Sequence, residues 1–242
     1  MKGKRHYVIG DIHGEYQMLM QLVEQLPSDA KLIFVGDLVN RGSQSREVIN
    51  FVKKRAFKVV KGNHEGYLLE FGAMFIDSFE NNDCRRSSNI WLHKSASEVL
   101  RSYNLLKYDS FEVIRNKKGL EQLKEDLEWI ARLPLYFELG EVDGYELPIV
   151  ISHGSVGDFW YAKESSPTLF EEQALRNRTP PSLESPIFNI YGHESRKDIL
   201  VGENFINLDT GSGKYSDGKL TAYCIESGEV FESSNEENSF KL

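Results

Sequence analysis

Five short apolar runs in this chain each end on a compact polar cluster, and that recurrence constrains the fold more than any other feature of the sequence. The clusters are Gly10-Asp11-Ile12-His13-Gly14, Gly36-Asp37-Leu38-Val39-Asn40-Arg41-Gly42, Gly62-Asn63-His64-Glu65, Ser152-His153-Gly154 and Tyr191-Gly192-His193-Glu194. Apolar runs this short, bounded by glycine, read as buried strands. Between the first clusters lie amphipathic stretches. In 14–26, Met18, Leu19, Leu22, Val23 and Leu26 make an apolar stripe at helical spacing, and Pro27 stops it. The order over 6–10, 14–26, 31–36, 45–54 and 57–62 is therefore strand, helix, strand, helix, strand. Units of this length require parallel strands in a layered α/β fold. Ligands of open α/β sheets sit in the crevice beyond the carboxyl ends of the strands, which is where each cluster falls.

The remainder of the chain divides in two. Residues 64–132 read mostly as helix, with apolar faces from Trp91, Leu92, Val99, Leu100, Leu123, Leu127 and Ile130, and form a helical insertion of about 66–132. Strand signals return at 135–139, 147–152, 188–192, 205–208 and 220–225. We expect one domain over 1–232 and a solvated acidic tail over 233–242, rich in glutamate, serine and asparagine. A chain of 242 residues is long enough for one large core.

Charge and cysteine content exclude several functions. Lys and Arg number 29 against 37 Asp and Glu, a net charge of −8, so a nucleic-acid backbone is not the expected partner. The two cysteines, Cys84 and Cys224, form no C-x-x-C pair, which argues against a disulfide framework or a thiolate zinc site and fits a reducing, cytoplasmic setting. The basic start, 1–6, leads into too few apolar residues for a signal peptide, and no run reaches the roughly 18 that a membrane span needs. Neither a G-x-x-x-x-G-K-[ST] phosphate loop nor a G-x-S-x-G nucleophile elbow occurs.

Of six histidines, four (His13, His64, His153 and His193) lie in the clusters. Asp11, His13, Asp37, Asn63, His153 and His193 offer imidazole nitrogen, carboxylate and amide oxygen without thiolate, a mixture suited to manganese, iron or zinc. Six such donors exceed what one catalytic ion with open positions needs, so the set reads as a two-metal centre, with Asp37 able to bridge. Five glutamates against one lysine in 226–242 account for half of the net charge, and two divalent ions would offset the other half.

Gly-Asp-Ile-His-Gly, Gly-Asp-Leu-Val-Asn-Arg-Gly, Gly-Asn-His-Glu, Ser-His-Gly and Gly-His, in this order, resemble the calcineurin-like metallophosphoesterases. The likeness is to the phosphoprotein phosphatase branch, specifically the small bacterial and phage serine/threonine phosphatases of the lambda-phosphatase type. It implies a four-layer α/β/β/α sandwich and direct hydrolysis of a phosphoprotein or small phosphoester. It also implies two divalent ions, with Mn2+ expected first and Fe, Zn, Ni or Mg as the other candidates. Carried across by position, Asp11, His13 and His193 would bind one ion and Asn63 and His153 the other, with Asp37 bridging. A metal-bridging hydroxide would attack phosphorus in line, His64 would act as general acid, and Arg41 would clamp the phosphate. Arg178, or else Arg176, matches the second clamp. The chain departs from the family at Asn40, where an Asp normally supports the acid histidine; Asn40 is expected to accept from His64 through its amide oxygen. Two alternatives stand beside a protein phosphatase. One is a symmetrical dinucleoside tetraphosphate hydrolase, a branch that also departs from Asp at this position but usually reads Gly-Asn-His-Asp. The other is a catalytically weak phosphoprotein-binding module.

Overall fold

The computed structural model describes residues 5–81, 94–108 and 110–234. The first half runs β1 (His6–Ile9), α1 (Tyr16–Glu24), β2 (Lys31–Phe34), α2 (Ser45–Arg55), β3 (Ala56–Val59), α3 (Asn63–Glu80), α4 (Lys94–Ser102) and α5 (Lys117–Ala131). The second runs β4 (Tyr136–Gly140), β5 (Ile149–Ser152), α6 (Ala162–Ser165), α7 (Pro167–Arg176), β6 (Phe188–Tyr191), β7 (Leu200–Val201), β8 (Phe205–Asn207), β9 (Lys219–Cys224) and β10 (Val230–Ser234).

Successive side chains of a strand point to opposite faces, and here both faces are apolar. Tyr7, Ile9, Leu32 and Phe34 enter a core shared with α1 to α5, whereas Val8 and Ile33 enter a second core with Ile149, Ile151, Ile190 and Ile206. A third core joins Val150 to Ala162, Phe170 and Ala174 of α6 and α7. The layers are thus helices, sheet, sheet, helices, as the sequence implied. One sheet has the order β10-β9-β1-β2-β3 and the other β4-β5-β6-β8-β7. β1, β2 and β3 are parallel, as are β5, β6 and β8, so the carboxyl ends of each parallel set share an edge.

One expected boundary is corrected. β10 pairs antiparallel with β9 through Ser234, and Ser233 Oγ donates to the Met18 carbonyl at 2.8 Å, so Ser233 and Ser234 belong to the sheet rather than to a solvated tail. Residues 235–242, together with Cys84, Trp91 and Leu92, lie outside the described residues. Within the insertion, between α4 and α5, the chain turns at Asn104 (φ +56°), and Leu106 and Val113 form an antiparallel bridge. Among the described residues no helix is long and apolar enough to cross a membrane.

Candidate metal centre

The polar clusters converge because the loops that carry them touch. Gly36 has φ +93°, and a Cβ there would stand 2.5 Å from the backbone nitrogen of Gly62. Only glycine allows the loops after β2 and β3 to approach this closely. Five of the six non-glycine residues with positive φ among the described residues are His13, Asp37, Asn40, Arg41 and His193. Such conformations cost on the order of 1–3 kcal/mol each and persist where the surroundings over-determine them. Here the N–H groups of Ile12 and His13 donate to the Asp37 carbonyl, Gly42 N–H to the His13 carbonyl, and Asn40 N–H to Ser45 Oγ.

Asp11, His13, Asp37, Asn63, His153 and His193 are all buried, none more than 9% exposed. His13 Nε2 lies 3.6 Å from Asp37 Oδ2 and 4.0 Å from Asp11 Oδ2, and His153 Nε2 lies 3.4 Å from Asp37 Oδ1. His153 Nε2 is also 2.9 Å from Asn63 Oδ1 and 3.1 Å from His193 Nδ1. Two donor groups result, His13–Asp37–His64 and Asp37–His153–His193, each with ligand atoms within 4.8 Å of one another, and Asp37 belongs to both.

The hydrogen bonds behind these rings decide what the site can hold. His13 Nδ1 faces the Val39 carbonyl at 3.1 Å, His153 Nδ1 the Val35 carbonyl at 3.0 Å, and His193 Nε2 the Arg176 carbonyl at 3.2 Å. A carbonyl only accepts, so these nitrogens carry the ring protons and the opposite nitrogens turn lone pairs inward. With the rings in these tautomers, the inward nitrogens of His153 and His193, 3.1 Å apart, and Asn63 Oδ1 turn three lone pairs toward one another. Burial pulls both His13 and His193 down to about 3, so they are neutral near pH 7, the form that ligates metal. Burial, followed by the charges of Asp209 and Asp37, raises Asp11 well above the usual carboxylate range. Converging lone pairs and closely spaced buried carboxylates fit divalent cations.

His193 departs from its expected partition. Its backbone N–H donates to both oxygens of Asp11 at 3.2 Å, while its ring Nδ1 lies 3.1 Å from His153 Nε2 and groups with Asp37 and His153. Asn40 also departs from expectation. Its amide nitrogen, not its oxygen, lies 2.8 Å from His64 Nδ1, so His64 accepts there and keeps its proton on Nε2, 3.9 Å from Asp37 Oδ2. Burial, more than any neighbour, lowers the His64 pKa.

Arg41 Nη1 is buried without a hydrogen-bond partner, and the guanidinium charge acts on Asp11, His13 and His64. Arg178 acts electrostatically on His193. Arg176 contributes its carbonyl to His193, and its guanidinium lies 5.9 Å over the Tyr67 ring. Two further neighbours had no assigned role in the sequence. Glu65 accepts from the backbone of Asp37, Leu38 and Gly62. Tyr67 packs against His64, a relation that its i+3 position on a predicted helix could have signalled.

A model for calcineurin-like phosphoesterases matches residues 4–210. The chain belongs to that family. It is a metallophosphoesterase, a hydrolase of phosphate esters. This phosphoesterase is 28% identical over 233 residues to serine/threonine-protein phosphatase 2 of Escherichia coli, covering 92% of the chain and 94% of that protein. It is 32% identical over 208 residues to a symmetrical bis(5'-nucleosyl)-tetraphosphatase of Coxiella burnetii, covering 82% of the chain but only 58% of that longer relative. A metallophosphoesterase crystal structure from Sphaerobacter thermophilus shares the fold, with a TM-score of 0.56 at 15% identity over 95% of this chain and 87% of that one.

Proposed function

We propose that this phosphoesterase is a protein serine/threonine phosphatase working with two divalent ions, manganese first among them. The observation that carries the two-ion reading is Asp37, common to both donor groups. Asp11, His13 and Asp37 would hold one ion; Asp37, Asn63, His153 and His193 would hold the other. Bound ions supply a nucleophile from water at neutral pH and Lewis-acid polarisation of the phosphoryl group.

The chain's own groups do the rest. Arg41 offers a planar fork to two phosphoryl oxygens, which would satisfy its unpartnered Nη1, and Arg178 adds positive charge near His193. As the imidazolium, carrying a proton on each ring nitrogen, His64 would deliver the Nε2 proton to the departing serine or threonine oxygen and be left neutral with its proton on Nδ1. Asn40 orients the ring from behind. Turning its amide over presents Oδ1 to Nδ1–H when the ring carries both protons.

Match across 94% of the E. coli phosphatase supports a phosphoprotein substrate. The competing reading, cleavage of a symmetrical dinucleoside tetraphosphate, draws on the 32% identity to the Coxiella relative. One comparison separates them: chelator-stripped protein reloaded with manganese and assayed on p-nitrophenyl phosphate, a phosphoserine peptide and diadenosine tetraphosphate. We expect turnover of both monoesters above that of the dinucleotide. Preference for the dinucleotide would overturn the phosphatase reading, and metal binding without any turnover would favour a phosphoprotein-binding module.

A further inference from the structure

Tyr67 sits one helical turn beyond His64 on α3, with its ring edge-on to the histidine at a centroid distance of 5.8 Å and an interplanar angle of 73°. Across the mouth of the crevice, Arg176 at the end of α7 places its guanidinium 5.9 Å over the same ring. α3 and α7 belong to opposite outer layers of the sandwich, so this contact joins the two rims. The Arg176 backbone is itself anchored at the site, because its carbonyl accepts from the ring of His193. Tyr67 remains 38% exposed, so part of its ring faces solvent beside His64.

We propose that Tyr67, flanked by Arg176, is a specificity-determining wall of the leaving-group subsite and binds the ring of aryl phosphate monoesters. This rests on the proposed role of His64: a group protonated by His64 departs beside it, and Tyr67 is the exposed aromatic surface adjoining that histidine. A phenyl leaving group reaches the wall and gains an aromatic contact. A short alkyl leaving group does not reach it. Arg176 thereby acts on the leaving group, which leaves phosphate clamping to Arg41 and Arg178.

The test compares phenyl phosphate with glycerol 2-phosphate on manganese-loaded wild type, Tyr67→Ala, Tyr67→Phe and Arg176→Ala. For Tyr67→Ala we expect kcat/KM on phenyl phosphate to fall about three- to tenfold, the range an aromatic contact contributes, mainly through KM. On glycerol 2-phosphate the change should stay under about twofold. Tyr67→Phe keeps the ring and should retain the wild-type preference, and Arg176→Ala should weaken it in the same direction as Tyr67→Ala. Equal losses on both substrates, or none on phenyl phosphate, would overturn the role of Tyr67 while leaving the phosphatase reading intact. Wild type inactive on both monoesters would overturn the phosphatase reading and this inference with it.

Discussion

The backbone N–H of Asp37 donates to Glu65 Oε2 at 2.8 Å, and that bond ties the loop after β2 to the first turn of α3. The same carboxylate takes Gly62 N–H at 2.8 Å and Leu38 N–H at 2.9 Å, and Glu65 is 0% exposed. Three donors with a single acceptor group make the carboxylate the clamp that holds Asp37 at its φ of +49°. Glu65→Gln turns an NH2 toward at least one of these donors. We expect a loss of about 2–4 kcal/mol in urea unfolding, with weakened manganese binding. A change below about 0.5 kcal/mol would show that the loops hold without the clamp.

Asn40 donates to His64 Nδ1, whereas an aspartate there would accept from Nδ1–H and carry charge. Aspartate tolerates the left-handed conformation at φ +72° nearly as well as asparagine, so Asn40→Asp should fold normally. A charge-assisted bond exceeds a neutral one by about 1 kcal/mol, which corresponds to roughly fivefold in rate. We expect Asn40→Asp to raise kcat on a phosphoserine peptide by that factor and on p-nitrophenyl phosphate by much less, because nitrophenolate leaves without a proton. Identical gains on both substrates, or none, would mean that Asn40 does not limit proton delivery.

Legibility in the sequence followed the range of the physics involved. β1, β2 and β5 announce themselves through local apolar runs ending in glycine or in Ser-His-Gly, and the donors stand next to them. β7 is only Leu200–Val201, and β10 takes its strand form from backbone pairing with β9 rather than from any alternation of its own. His193 is held by a backbone bond to Asp11, far away in sequence, which no local motif encodes. The meeting of Tyr67 with Arg176 likewise arises only when opposite layers close on one another.

Asp126, on α5, is 0% exposed and gathers Tyr103 OH at 2.7 Å and Lys53 Nζ at 2.8 Å. This links α2, α5 and the turn after α4 beneath the outer helical layer. Burial, reinforced by Asp126, pushes the Tyr103 phenol well above its ordinary range, so it stays a donor. Asp126→Ala leaves the buried Tyr103 hydroxyl without its acceptor, while the part-exposed Lys53 ammonium turns to water, and we expect about 1–3 kcal/mol of destabilisation in denaturant unfolding. Activity per folded molecule should be unchanged, since the network does not touch the crevice. A loss of less than about 1 kcal/mol would indicate that water replaces the carboxylate.

Ion binding should register in stability independently of turnover. Free manganese at 100 times its dissociation constant stabilises the folded state by about 2.7 kcal/mol per site, and each kcal/mol raises Tm by about 2–4 °C in a domain of this size. We therefore expect a rise of about 5–10 °C per filled site when manganese is added to the chelator-stripped protein. The two donor groups make distinct demands on the variants, because Asp37 serves both while His13 serves one. His13→Ala should leave one manganese site in a calorimetric titration, with a smaller thermal shift, and Asp37→Ala should remove both. A full two-site titration in Asp37→Ala would refute the bridging role of that carboxylate, whatever the variant's activity.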